Sequence, residues 1–370
     1  RSQVKAMYTA YLGLDLELRL TAYRHDFDRS WKKLNAFGSL AGVTVAEVLR
    51  DPFSARNRIF YDVLTGSNEW TGDPSERLAI GVNQRVYVSQ GINLRTDWKT
   101  GPKDYRNHLQ VGVRLHADEV ERNHTQGEYD MNEGVTERVT DDITIRENQG
   151  KAQALAVYAF DELKLWEILH LTPGFRVELI DTTLNDRLAE TSDDNGTAII
   201  LPGLGVWYAL TEAWGLLAGV HRGFSPLAPG QDDDVAPETS INYEAGVRWD
   251  YPQVTGEVIG FYNKYENLVG TCTQSSGCDQ VDIDEQFNAG EADIVGFESA
   301  LRTRHRLGAG FIGDLAVSYT VTQAHFASSF ESGFSQWGEV EKGDALPYVP
   351  EQQAAVSMTL TTFATYKLRG

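Results

Sequence analysis

The chain has 370 residues, with 33 Lys and Arg against 53 Asp and Glu, a formal net charge of -20 at pH 7. That balance argues against a nucleic-acid surface, which needs positive potential, and no apolar run reaches the roughly 18 residues of a membrane-crossing helix. A membrane-crossing β-barrel remains open, because alternation halves the hydropathy of each strand, and 34 glycines with 11% aromatic residues suit tightly turned, ring-belted strands.

Arg1 opens a run that already reads as structured, with no visible signal or targeting segment, so the chain is expected to be a fragment of a longer product. Val4 to Tyr11 reads as a short strand broken near Gly13. Leu14, Leu16, Leu18, Leu20 and Ala22 then alternate with Asp15, Glu17, Arg19, Thr21 and Tyr23, and the strand continues to Trp31. That exceeds the usual ~5–6 residues of a globular strand and suits one that crosses a bilayer and projects beyond it. Between Trp31 and Arg77 lies an insertion rich in Asp, Arg, Asn, Gly and Pro, with a short helix expected over Val43 to Arg50 and ended by Asp51 and Pro52. Strand pattern resumes from Val82 to Trp98. After a short turn, His108, Gln110, Gly112, Arg114 and His116 alternate with Leu109, Val111, Val113 and Leu115.

Glu119 to Gly150 reads as a long polar region, with a loop hairpin within Thr136 to Glu147. Strands follow at Ala152–Phe160 and Leu169–Leu184. Asp181–Thr197 is polar again, and Ala198–Ala209 and Trp214–Phe224 are strands joined by a short turn. A loop containing Pro226 and Pro229 reads as an exposed connection. From Ser240 to Asp250, Ile241, Tyr243, Ala245, Val247 and Trp249 point one way and Asn242, Glu244, Gly246 and Arg248 the other. A second strand follows Pro252, then a long loop to Glu291, strands at Asp293–Arg304 and Ile312–Gln323, another long loop, and a last strand from Gln352 to Tyr366. Short turns on one rim and long loops on the other are the asymmetry of an outer-membrane barrel. The reading gives an all-β, antiparallel transmembrane barrel with about 13 strands represented; a closed bacterial barrel has an even number, which again points to an incomplete chain.

Cys272 and Cys278 are the only cysteines. Two thiols without a nearby His make a poor zinc site, and a loop disulfide is the simpler account. Composition also raises His25, Asp26 and Asp28 as metal ligands, but alternation places His25 opposite Asp26 and the strand geometry puts no tetrahedral set together. The run Asp232 to Asp234 and the pair Asp141 and Asp142 read as solvated loop charge with some capacity for divalent ions. Arg85, Arg114 and Arg248 fall on polar strand faces, where a guanidinium meets water, a carboxylate or an anionic ligand at far lower cost than lipid; Glu244 is an available partner for Arg248. His221 and Arg222, in a Gly-flanked strand end, read as rim residues or ligand contacts. Neither a catalytic triad, a Walker loop nor a dinucleotide glycine pattern is present, so no catalytic residues or cofactor are assigned and the chain reads as not an enzyme.

The stretches Leu171–Glu178, Leu201–Gly230, Glu238–Asp250, Gly260–Gly270 and Asn288–Leu301 resemble successive barrel signatures of TonB-dependent outer-membrane receptors. Tyr23–Trp31 and Leu346–Leu360 resemble the ferric dicitrate branch of that family. The resemblance implies a barrel of about 22 strands, of which residues 1–370 would be a part, without the N-terminal plug domain that carries the TonB-contacting segment. It further implies a bacterial outer-membrane location amid lipid, energy coupling to the TonB complex, and a ferric chelate as transported substrate, ferric citrate or another ferric siderophore. An anionic metal citrate would suit a cluster of arginines. A passive porin-like channel and a surface binding protein are the alternatives.

Overall fold

The computed structural model describes residues 1–67, 71–102, 104–231, 235–272, 285–288, 290–308, 310–332 and 337–362. In chain order, β1 (Ser2–Tyr11) and β2 (Leu16–Phe37) lead into an insertion with α1 (Val45–Arg50), α2 (Arg58–Leu64) and a 3-10 turn at Pro74–Glu76. Then come β3 (Leu78–Thr100), β4 (Tyr105–Asn132), β5 (Val135–Arg138), β6 (Ile143–Leu165), β7 (Leu169–Asp186), β8 (Thr191–Ala209) and β9 (Trp214–Ser225). The remainder comprises β10 (Glu238–Tyr251), β11 (Val254–Glu266), β12 (Val269–Thr271), β13 (Gln286–Asn288), β14 (Ala292–Gly308), β15 (Phe311–Phe326), β16 (Phe330–Glu331), β17 (Glu339–Val340) and β18 (Gln352–Thr362). One 14-stranded sheet runs β1-β2-β3-β4-β6-β7-β8-β9-β10-β11-β14-β15-β18, with β5 attached to β4. Each long strand therefore pairs with its neighbours in sequence, and the number of long strands agrees with the sequence reading. The strand ends at residues 11, 100, 165, 209 and 251 lie on one rim, where few residues separate consecutive strands, and those at 37, 132, 225, 266 and 326 on the other, where more do.

Register explains why these sequences alternate. Leu20, Leu94, Val113, Val157 and Val177 stand side by side across β2, β3, β4, β6 and β7, and the next row is Ala22, Ile92, Leu115, Leu155 and Leu179. These rows are exposed: Leu115 keeps 55% of its surface and Leu179 46%. A continuous apolar outer face of this kind is stable against lipid and costly against water. The row above it, toward the long connections, is Arg24, Gln90, Ala117, Gln153 and Asp181, where the apolar band ends.

Strand length departs from the sequence reading. β4 has 28 residues and β6 has 23, whereas crossing a bilayer takes about 9–11. Much of the polar region from Glu119 to Gly150 is thus strand: β4 continues to Asn132, β5 folds back onto Tyr129–Asn132, and β6 begins at Ile143. Asp181–Thr197 is likewise the paired ends of β7 and β8, with only 187–190 between them. Above the lipid both strand faces meet water, so the apolar alternation that marks a strand disappears.

The insertion carries its own core. Val48 and Val63, both fully buried, pack with Val43, Phe60, Phe37, Leu78 and Met131. Helix α1 starts on Thr44, whose hydroxyl accepts from Glu47 N–H while the Glu47 carboxylate accepts from Thr44 N–H, a reciprocal cap that satisfies two otherwise orphaned donors. Asp51 closes the helix as expected; α2 was not anticipated.

Candidate functional site

Opposite the apolar rows, the sheet presents a second face of polar side chains. Arg85 is paired in register with Arg29 on β2 and Arg122 on β4, so three guanidinium-bearing residues lie abreast. Arg85 Nε donates to His124 Nε2 (3.2 Å), and Arg122 Nη1 donates to Asn148 Oδ1 (3.1 Å). The Arg29 guanidinium sits 4.2 Å from the Trp31 ring centre, a stacking arrangement that holds the charge in place and favours its exposure to an anion.

Nearer the short-turn rim, Arg114 joins a directed chain. Its Nη2 donates to Tyr23 Oη (2.8 Å), which lies 2.6 Å from His116 Nδ1, while His116 Nε2 is 2.9 Å from Asp118 Oδ2. The phenol oxygen accepts from Arg114, and the His116 ring bridges that phenol and the Asp118 carboxylate through its two nitrogens. Arg176 binds Glu178 and lies over Tyr158, 5.4 Å from the ring centre. Arg114, His116, Arg176 and Glu178 line one cavity of about 240 Å³ together with Phe224 and Pro226.

The loop after β9 folds inward. Pro229 approaches the Gly150 position and Gly230 the Leu184 side chain, on the same face as Ala156 and Glu178. Ala228 N–H donates to Gln286 Oε1, and Gln286 N–H to Gln231 Oε1. This corrects the expectation of an exposed connection: proline blocks strand pairing, but the segment satisfies its polar groups by packing on the wall and on β13.

His221 and Arg248 lie on this same polar face, lining a larger cavity of about 710 Å³ with Glu162, Trp207 and Glu244. Arg248 pairs with Glu257 directly across the strand (2.7 Å) and lies over Trp207. The anticipated Glu244 partner is four residues along the strand, about 13 Å away, whereas cross-strand neighbours are about 5 Å apart. Arg222 is the residue that departs: it faces Ile241 on the opposite side from His221, because adjacent strand residues alternate, and its Nη1 contacts Ile200 O at 3.5 Å. Four of the five candidate side chains therefore share the inward face, at different heights, and Arg222 does not. Sequence reasoning missed Tyr23, Arg29, Arg122 and Arg176; each was visible as the polar member of an alternating pair.

A further network lies lower on the wall, where Asp97 accepts from Arg95 Nε (2.8 Å) and Gln110 Nε2 (2.7 Å) and sits 3.1 Å from His108 Nε2. Among the described residues no group of three His, Cys, Asp or Glu side chains is placed to hold a metal ion. His25 faces the interior with Tyr23, while Asp26 alternates to the outer face beside Arg24. Cys272 is buried, but Cys278, the second half of the expected disulfide, lies outside the described residues, as do 232–234 and the end of the last strand beyond Thr362.

The wall offers arginines and hydrogen-bond donors, a surface for binding an anion. The family described as TonB dependent receptor-like, beta-barrel matches residues 6–370. The pesticin receptor of Yersinia enterocolitica is 28% identical over 172 residues, covering 43% of this chain and 22% of its own. The unliganded ferric citrate transporter FecA matches in structure over 96% of this chain and 46% of its own, at TM-score 0.69 and 16% identity. The siderophore receptor PiuA of Acinetobacter baumannii matches over 96% and 51%, also at TM-score 0.69, with 13% identity. The chain thus spans about half the length of these solved structures.

Proposed function

The chain belongs to the TonB-dependent receptor-like β-barrel family, and on that premise we propose that it forms part of an outer-membrane receptor for energy-coupled uptake of a ferric chelate. Receptors and transporters, not enzymes, are its relatives, and its apolar outer rows suit the outer membrane. Ferric dicitrate is the favoured cargo and another ferric siderophore the next. The observation that carries the reading is the row Arg29, Arg85 and Arg122, with Arg114 and Arg176 below it on the inward face. Guanidinium groups bind the carboxylate oxygens of an anionic chelate in bidentate fashion and hold its charge in a confined space. Energy would come from the TonB complex through a plug domain outside this chain, so the barrel itself needs no nucleotide site. Ferric iron enters as part of the cargo, with no resident cofactor.

The test is calorimetric binding of ferric citrate, metal-free citrate and an unrelated ferric siderophore to the full-length detergent-solubilised protein with its plug. Saturable preference for ferric citrate, weakened by Arg114→Gln and Arg85→Gln, is the expected result. Preference for the other siderophore rejects this cargo and keeps the receptor; binding of neither, with steady conductance in a planar bilayer, rejects gated uptake in favour of an open pore.

A further inference from the structure

The outer face carries a groove of about 640 Å³ at the level where the apolar band ends. Its lower wall is the row Ile92, Leu115, Leu155 and Leu179, and its upper wall holds Gln90, Gln153 and Asp181. The depth comes from Ala22 and Ala117, short side chains set among long ones. Two cations flank the upper wall. Arg24 ends the Gln90–Ala117–Gln153 row, and Lys151 sits one row higher, opposite Glu119.

We propose that this groove seats one lipid of the outer leaflet with several acyl chains and two headgroup phosphates. The groove follows the boundary across β2, β3, β4, β6 and β7, a width of about 19 Å at the usual strand spacing. That is room for several chains side by side on the leucines, more than one two-chain lipid fills. The backbones at Arg24 and Lys151 are three strand spacings apart, about 14 Å, and Arg24 is held over its own and the next strand by Asp26 and Gln90, so the two cations serve separate phosphates. Arg24 already donates Nε and Nη2 to Asp26 and Nη1 to Gln90, which fixes the guanidinium while leaving N–H bonds on both terminal nitrogens for a phosphate oxygen. Glu119, which faces Lys151 in register, accepts instead from Gln149 Nε2. The amides of Gln90 and Gln153 can meet sugar hydroxyls or acyl amides between the phosphates. This site is on the opposite face from the arginine wall and does not depend on the cargo.

Native mass spectrometry of the full-length protein in detergent tests it, with titration of diphosphoryl lipid A, monophosphoryl lipid A, phosphatidylglycerol and inorganic phosphate. Expected are saturation by one diphosphoryl lipid A, weaker binding of the monophosphoryl form, and a loss of about tenfold in affinity in Arg24→Gln with Lys151→Gln. Ala117→Trp, which fills the groove, should lower affinity for the lipid without altering binding of inorganic phosphate. The heat-modifiable gel mobility of each variant, matching the parent, establishes that the barrel is folded; if Ala117→Trp does not fold, Lys151→Arg, which keeps the charge, should retain the affinity that Lys151→Gln loses. Unsaturable uptake, equal binding of phosphatidylglycerol, or unchanged affinity in the double variant overturns the proposal.

Discussion

Replacing Val63 by Ala probes whether the insertion between β2 and β3 is a folding unit of its own. Val63 is fully buried on α2 and belongs to a cluster with Phe37, Val43, Val48, Phe60, Leu78 and Met131. The change removes two methyl carbons, about 1.6 kcal/mol of transfer free energy at roughly 0.8 kcal/mol each, and the remaining cavity raises the cost to about 2–3 kcal/mol. If the insertion opens independently of the barrel, its opening equilibrium rises roughly 30- to 150-fold. Hydrogen exchange with mass spectrometry on the full-length protein reads this directly: peptides over α1 and α2 should lose protection by that factor, while peptides over β10 and β11 keep theirs. Unchanged exchange in the helices would show that the cluster adds no local stability. An equal rise in β10 and β11 would show that the insertion and barrel unfold together, and either result refutes the reasoning.

Thr44→Ala removes the side-chain half of the α1 cap and should cost about 1 kcal/mol, read as faster exchange at the Glu47 amide and little change elsewhere. The carboxyl of Glu47 is held below its ordinary range chiefly by the Thr44 backbone N–H, and that of Asp73 by the Ser75 backbone N–H. Both are depressed in the folded state, so the stability they add is present above the ordinary carboxylate range and is lost as pH falls through the folded values; protection of the insertion should decline below about pH 4, and Glu47→Gln should flatten that decline. An ideal Cβ on Gly112 would overlap the Tyr158 ring. Gly112→Ala should therefore displace the ring on which Arg176 rests and cost about 1–3 kcal/mol, seen as a lower unfolding temperature in heat-modifiability gels; an unchanged temperature would mean the ring moves freely.

The barrel was legible wherever lipid imposes a rule. Ile241, Tyr243, Val247 and Trp249 declare their face because the outer surface must be apolar and the next residue need not be. That rule ends with the row of Arg24, Gln90 and Gln153, which is why β4 beyond Glu119 read as a loop. Arg222 obeys the same alternation that puts Arg85, Arg114 and Arg248 inward: one residue from His221, it turns to the outer face beside Ile241. The bond between Arg114 and Tyr23 joins residues 91 positions apart and depends on which strands become neighbours, information that periodicity within one strand does not contain.

The terminal rung of the β2–β3 ladder, Phe37 opposite Leu78, lies inside the core of the insertion. This links assembly of the cap to assembly of the wall. Hairpins such as β1–β2 and β3–β4 close through turns of a few residues, whereas joining β2 to β3 means closing a loop about ten times longer, which costs about 2 kcal/mol more in chain entropy. Once α1 and α2 pack, they hold Phe37 and Leu78 together and remove most of that difference. The cap thereby acts as a clasp that sets register for two long strands, and adjacent hairpins can zip on from there in the order in which the chain presents them.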